Sequence, residues 1–495
     1  GYYYGGISNK DTWQFSTVIF KADGSASDPY LISDFEQLQE VRNNLDANYQ
    51  LAADIDASET ATLNSGAGFD PIGTNGSGQE FSGVFDGNGY TISDLTINRS
   101  GENFVGLFGS IDGVVKNLKL ENADITGGDY VGGVVGLLYG TVTDVAVKGS
   151  VSGTTNIGGI AGQLEFYSSS ATIANSYSLA GVVGDNAGGL VGVVTSGANV
   201  QYSYAAGIVD SPADQEGGGE GSQKDTGTEY LIGGLIASNS GTVTSCFWDT
   251  DASELAASDG GSGTSSTSMK DRQNFSGAGW DFDGHWSMSS EINTGYPYLR
   301  YVRETFSQQV AGSEGWRILS APISGITYGE LLAHVWTQGI PKAKSESGAP
   351  NVLKWDGSEF VPPASMEEEL SQGEGFIVYF YSDDDYDGTG EGFPKTLSVS
   401  ALDTLAGFQV PVRAEAEAWT LAGNPFPTAM NWDQKQSTDL SNTVYVYDHG
   451  SASFKTWNGE TGSLTNGKID AFQGFWVQNA PSISDSPELI FNSNA

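Results

Sequence analysis

The strongest chemical pattern in the sequence is D-x-D-x-D-G, formed by Asp383, Asp385, Asp387 and Gly388, with Glu391 at the ninth position. Alternate aspartates can turn inward around a hard cation while the glycine permits the sharp turn, as in the first half of an EF-hand loop. Asp383, Asp385, Asp387 and Glu391 are therefore the expected ligands of a structural Ca2+, stapling a hairpin between Gly375–Tyr381 and Phe393–Val399. Pro394 stands where the bidentate glutamate would be, and no helices flank the loop. The alternative is a solvated acidic tip, but carboxylates this close repel one another unless a cation lies among them. Asp281-x-Asp283-Gly284 is half of such a motif, and Asp86–Gly87–Asn88–Gly89 reads as a tight turn.

Catalytic constellations are harder to find. His285, His334 and His449 are the three histidines. The bases of the first half (Arg99, Lys116, Lys119, Lys148) share no repeat position and read as solvated edges. Carboxylates are so abundant that any pair could be chosen for the acid and nucleophile of a hydrolase. No serine lies in a G-x-S-x-G elbow, and Gly462-x4-Gly467-Lys468 continues with Ile469 where a phosphate-binding loop needs Ser or Thr. The expectation is a protein that is not an enzyme. Seven of the 11 tryptophans follow residue 303 inside short strands. They read as core, with Trp457 the best exposed candidate for stacking on a sugar.

Charge excludes several partners. With 61 Asp+Glu against 21 Lys+Arg, the net charge of −40 repels phosphate backbones and anionic lipid, which excludes nucleic acid. No apolar run is long enough to span a bilayer. One cysteine, Cys246, allows no internal disulfide. No leader is visible, as expected of a secreted chain after processing. The expected location is extracellular or on a bacterial cell surface.

The elements come from a repeat. FVGLFG (104–109), GGVVG (132–136), GGIAG (158–162), GGLVG (188–192) and GGLIA (233–237) recur with their aligned glycines, Gly106, Gly133, Gly159, Gly189 and Gly234, at intervals of 27, 26, 30 and 45. A second series, Val115, Val142, Ile173, Val200 and Val243, follows each unit, and three residues later come Leu118, Val145, Ser176, Ser203 and Cys246. Apolar and polar residues alternate over short runs, which is strand periodicity. Units this short stack as coils of a parallel β-helix rather than as propeller blades. Ser33–Glu36 reads as a capping box opening a helix over the first coil, Trp280–Tyr301 is expected to close the far end, and Glu165–Ala171 and Ser211–Glu229 read as insertions.

PYLISDFEQLQEV (29–41), FSGVFDGNGYTISDLTI (81–97), the GG repeats, SCFWDTDAS (245–253) and YPYLRYV (296–302) together resemble GLUG-repeat proteins of bacterial surfaces. The resemblance covers roughly residues 25–303 and implies a right-handed parallel β-helix in a secreted, adhesin-like protein.

After Arg303 the sequence repeats itself differently. GWRILSAPI (315–323) is echoed by AWTLAGNPF (418–426), VLKWDG (352–357) by VYVYDHG (444–450), and GEGFIVYF (373–380) by FQGFWVQN (472–479). The offsets of 103, 92 and 99 indicate a duplicated unit of about 100 residues, rich in short strands and read as β-sandwich. A helix over Tyr328–Trp336 follows a Thr327/Glu330 capping box. WTLAGNPFPT (419–428) and FKTWNG (454–459) are similar to a module of type IX secretion cargo, which implies a route of export and a sorting domain either cleaved during secretion or lying outside this sequence.

The expected organisation is all-β: an extension (1–24), a right-handed parallel β-helix (25–303), and two β-sandwich copies (304–410 and 411–495). Within the extension, Trp13, Phe15, Val18, Ile19 and Phe20 form an apolar strand that must pair, either with the first coil of its own chain or with the next subunit. Donation to a neighbour would build a filament of copies arranged head-to-tail. The expected function is non-catalytic adhesion to a host or environmental surface or glycan, or construction of an extracellular filament. A carbohydrate-active enzyme or a carbohydrate-binding protein on a β-helix is the alternative.

If the acidic loop binds Ca2+, a chelator should lower the melting temperature, because a ligand held only by the folded state stabilises it. Differential scanning calorimetry with and without chelator, beside metal analysis of the purified protein, decides this; identical melting curves and no metal would remove the site.

Overall fold

A computed structural model describes residues 22–167, 170–212, 230–282, 284–290, 292–383, 392–402, 407–483 and 486–491. The chain is all-β, with strands far outnumbering its short helices. It divides into two compact units, Gly1–Arg303 and Glu304–Ala495.

In the first unit the repeat becomes parallel pairing in strict register. Tyr30, Tyr49, Phe85, Val115, Val142, Ile173, Val200 and Val243 lie side by side on successive parallel strands. A second parallel sheet stacks Phe108–Ile111, Val135–Leu138, Ala161–Leu164, Val191–Val194 and Ile236–Asn239. A third stacks Val131–Gly132, Ile157–Gly158, Asn186–Gly188 and Leu231–Gly233. The inward-facing side chains fuse into one core running from Ile32 to Trp248.

The repeated glycines have normal negative φ; what they lack is room. A Cβ on Gly106 would lie 2.6 Å from the carbonyl oxygen of Gly132, and one on Gly133 would lie 2.5 Å from that of Gly159. Cβ atoms on Gly159 and Gly189 would strike the carbonyl oxygens of Gly189 and Gly234. Each coil thus rests its backbone on the glycine of the one before it. Asn117, Asp144, Asn175, Tyr202 and Ser245 turn another corner with φ between 44° and 55°. Asn and Asp tolerate this left-handed region better than most side chains.

Immediately after that corner, Leu118, Val145, Ser176, Ser203 and Cys246 are all buried, as the repeat predicts. The hydroxyls are not orphans. Ser176 Oγ donates to the Ala174 carbonyl and accepts from Val145 N; Ser203 Oγ donates to the Gln201 carbonyl and accepts from Ser176 N. Cys246 Sγ continues the column, donating to the Thr244 carbonyl at 3.3 Å. Burial pushes its thiol up to about 12, so it is an inert packing group.

The ends differ in detail from the expectation. The first helix, Phe35–Glu40, is capped by Asp34, whose carboxylate accepts from Gln37 N, while Gln37 Oε1 accepts from Ser33 N. The Ser33/Glu36 box is therefore replaced by an Asp34/Gln37 arrangement. Phe35 and Leu38 are buried in the core, with the Phe35 ring 6.0 Å from that of Phe69. At the other end the backbone donors of the last coil are met by residues 257–262 rather than by Trp280–Tyr301. Ala257 O accepts from Gly234 N, and Ser258 Oγ accepts from both Leu235 N and Ile236 N.

The aromatic segment instead covers the outside of the coils. Ala146, Tyr177, Tyr204 and Phe247 form an outward-facing column in register. Trp280, Trp286, Tyr296 and Leu299 pack on it. Tyr177 and Tyr204 stack at 5.0 Å, and Tyr204 OH donates to the Pro297 carbonyl. An aromatic column cannot be left to water without cost, so the segment runs along the flank. It is tied to the coils by Tyr296 OH on Asp249 Oδ2 and by His285 Nδ1 at 2.8 Å from Asp144 Oδ1, and braced within itself by Arg300 Nε on the Trp286 carbonyl.

The second unit contains two four-stranded sheets of matching strand order. Gly315–Ser320, Gly375–Phe380, Val352–Trp355 and Phe360–Val361 form an antiparallel sheet in that order, and Trp419–Gly423, Gly474–Gln478, Val444–Asp448 and Ser453–Trp457 form its counterpart. Leu319 faces Phe376 in one sheet as Ala422 faces Phe475 in the other. The copies meet through two bridges, Leu319 with Gln473 and Glu374 with Ala422, which exchange places under the same offsets and so define an internal two-fold relation. The Thr327/Glu330 capping box is present, but its helix is only Tyr328–Leu331 and stops well short of Trp336.

Two measurements test these constraints. Gly133→Ala should lower stability by about 1–3 kcal/mol or more, since the new methyl meets backbone that cannot yield. Gly101→Ala, where nothing lies within 4 Å, should be close to neutral, and equal denaturant midpoints for both would refute the stacking argument. The hydrogen bond to Asp144 raises the His285 pKa above its ordinary value, against the opposing effect of burial. Its stabilisation is therefore complete below the unfolded value of about 6.5 and is lost as pH rises through the higher folded value. Melting temperature should fall over that interval in the native chain, and His285→Asn should flatten that part of the profile.

Candidate binding groove

Strand alternation in the second unit places apolar side chains on both faces. Phe376, Val378 and Phe380 point into the core of the first copy, and Phe475 and Val477 into that of the second. The residues between them face the other way: Trp316 and Ile318, Ile377, and Trp355 from one sheet, Trp419, Tyr445 and Trp476 from the other. With Phe360, Tyr447 and Phe454 they line an open groove of about 530 Å³ spanning both copies. Trp419 is 38% and Phe454 48% exposed.

The rings support one another edge to face. Trp355 and Trp476 lie 5.2 Å apart at 80°, and Trp419 and Tyr445 5.2 Å apart at 66°. Trp419 and Phe360 each meet Trp476 at 80° as well. This arrangement holds the walls rigid. Among the described residues, no carboxylate, imidazole, ammonium or guanidinium lines the groove. Trp355 Nε1 is buried and has no hydrogen-bond acceptor among the described residues. The groove can bind by area and shape, through side chains that are almost wholly aromatic.

This corrects the reading of the tryptophans. Trp432 is core, fully buried among Val444, Phe475 and Phe491. Trp316, Trp355, Trp419 and Trp476 are groove walls, because they alternate with the residues that fill the core. Trp457 lies outside the groove, half-buried, with its indole N–H on Asp433 Oδ1. The available signal was a strand pattern apolar on both faces, as in GFIVYF and GFWVQ, in two copies.

The other predicted sites are placed less fully. Of the calcium set, Asp383 is described, whereas Asp385, Asp387 and Glu391 lie outside the described residues, as does Asp283. Asp281 accepts from Gly284 N and holds a turn. The apolar strand residues Trp13, Phe15, Val18, Ile19 and Phe20 also lie outside the described residues. Asn88 N donates to Asp86 Oδ1 in the expected tight turn. The bases are not all solvated edges: Lys119 is only 6% exposed, because it neighbours Ala146 in the outward column. Arg99 pairs with Asp70 and Glu102, Lys116 with Asp86, and both Lys119 and Lys148 with Glu121. Carboxylates of the coils themselves thus neutralise these cations.

No protein-family signature matches the chain, and no solved structure matches it. Over 156 residues it is 45% identical to halomucin of Haloquadratum walsbyi, a match covering 30% of this chain and 2% of that protein. Over 408 aligned residues it is 30% identical to a putative Gly-rich membrane protein of Evansella cellulosilytica, covering 56% of this chain and 45% of the relative. The chain therefore spans less than half the length of either curated relative. No helix among the described residues is long and apolar enough to cross a membrane.

Proposed function

We propose that this chain is part of a secreted, cell-surface protein that works by binding rather than catalysis, in adhesion or in building an extracellular assembly. The observation that carries this reading is the groove of the second unit, an open concavity of aromatic side chains with no charged group in its wall among the described residues. A contiguous apolar surface of this kind costs solubility and marks an interaction site. The names of the two relatives, halomucin and a Gly-rich membrane protein, support a surface location.

On this reading the first unit is a right-handed parallel β-helix of the GLUG-repeat kind, supported by its parallel register and glycine columns. The second is a duplicated β-sandwich of the sort carried by type IX secretion cargo, supported by the two matching sheets. The loop from Asp383 to Glu391 would carry a structural Ca2+. An enzyme acting on uronic-acid polymers is disfavoured, since a surface of −40 repels such substrates.

Antibody against the protein should label intact producing cells without permeabilisation. Binding of the purified protein to cell envelopes should fall at least about tenfold in Trp476→Ala, as expected for an aromatic hot spot, with the melting curve retained. Labelling only after lysis, envelope binding indifferent to Trp476, or polysaccharide cleavage abolished by one substitution would each overturn the reading.

A further inference from the structure

Resting on the groove as a docking surface, we propose that its occupant is the segment Asp11–Phe20 of a second copy of this chain. Two molecules that each carry a charge of −40 repel over most of their surface, so a stable contact needs uncharged surface on both sides. The groove wall is uncharged. Residues 12–20 (TWQFSTVIF) contain no ionisable side chain either, in a chain where 17% of residues are charged.

The segment is also strongly apolar. In an extended chain Trp13, Phe15, Thr17 and Ile19 share one face, and Gln14, Ser16, Val18 and Phe20 the other. The first face, with two aromatic rings and an isoleucine, can be buried against the aromatic walls. From Trp13 to Ile19 such a chain runs about 20 Å. A sugar fits this wall less well, because its hydroxyls would lose water with almost nothing to replace it. Donor segment and acceptor groove are different surfaces, so the contact is heterologous and propagates head-to-tail.

The test combines sedimentation velocity with a peptide assay. The full chain should form species that grow with concentration, and deletion of residues 1–22 should leave a monomer with an unchanged β-type circular dichroism spectrum. A labelled peptide of residues 10–21 should bind the deletion variant, and Trp476→Ala in that variant should weaken binding at least about tenfold. Phe15→Asp in the peptide should abolish binding, independently of any folding defect in the protein. A full chain that stays monomeric at its highest soluble concentration overturns the proposal, as does a peptide that binds Trp476→Ala equally well. If the peptide fails while Trp476→Ala still loses envelope binding, the occupant is wrong and the docking groove stands; if Trp476→Ala changes neither, both fall.

Discussion

The spacing of backbone from one coil to the next, about 4.8 Å as in any sheet, is the constraint on which the first unit depends. Side chains can project from strands at that spacing, but where the coil bends tightly its backbone points at the coil beside it. There the neighbour's carbonyl oxygen occupies the volume of a Cβ, as at Gly106 and Gly133. The glycine column is thus imposed by translation along the stack and not by φ. The same translation repeats one inward position along a whole column, and lets the Ser176 and Ser203 hydroxyls each accept from the backbone of the preceding coil.

A chain built this way has little freedom in where it puts charge. Its apolar core holds no charged side chain among the described residues, so most of its carboxylates lie outside, and its few cations are largely engaged by them, as Arg42 and Arg99 are by Asp70. Long-range repulsion then keeps copies and anionic polymers apart. Against that background an uncharged concave surface is the place where a partner can approach without opposing charge. The acidity of the scaffold and the apolarity of the groove are two halves of one arrangement.

Much of this was legible in the residues. The spacing of the glycines and of Val115, Val142, Ile173, Val200 and Val243 predicts the observed register, because period and pairing are the same quantity in a stacked coil. The duplication, too, could be read from Trp316 and Trp419 with Phe376 and Phe475. What could not be read was which face of a doubly apolar strand is covered. Tyr177, Tyr204 and Phe247 alternate with inward residues just as Trp419 and Trp476 do, yet the former are roofed by Trp280–Leu299 and the latter are open. That difference depends on where a distant segment runs, and no local pattern encodes it. The same ignorance made Lys119 read as solvated and moved the aromatic segment from the end of the stack to its flank.

The open face follows from the duplication itself. One copy of the second unit buries one side of its sheet and presents the other as an apolar wall. A single wall offers area but little enclosure. Two walls related by the internal two-fold, locked by the reciprocal bridges Leu319–Gln473 and Glu374–Ala422, turn that area into a concavity whose depth neither copy has alone. Edge-to-face contacts such as Trp355–Trp476 cross from one copy to the other and fix the walls in position before any partner arrives. A groove rigid in advance loses less entropy on docking, so the binding free energy from its apolar area is retained rather than spent on ordering side chains. Had the walls served only to join the copies, the shortest solution would have been to press them together. They touch only in places, as at Trp355–Trp476, while Trp316, Trp419 and Phe454 remain exposed, and this leaves the concavity open.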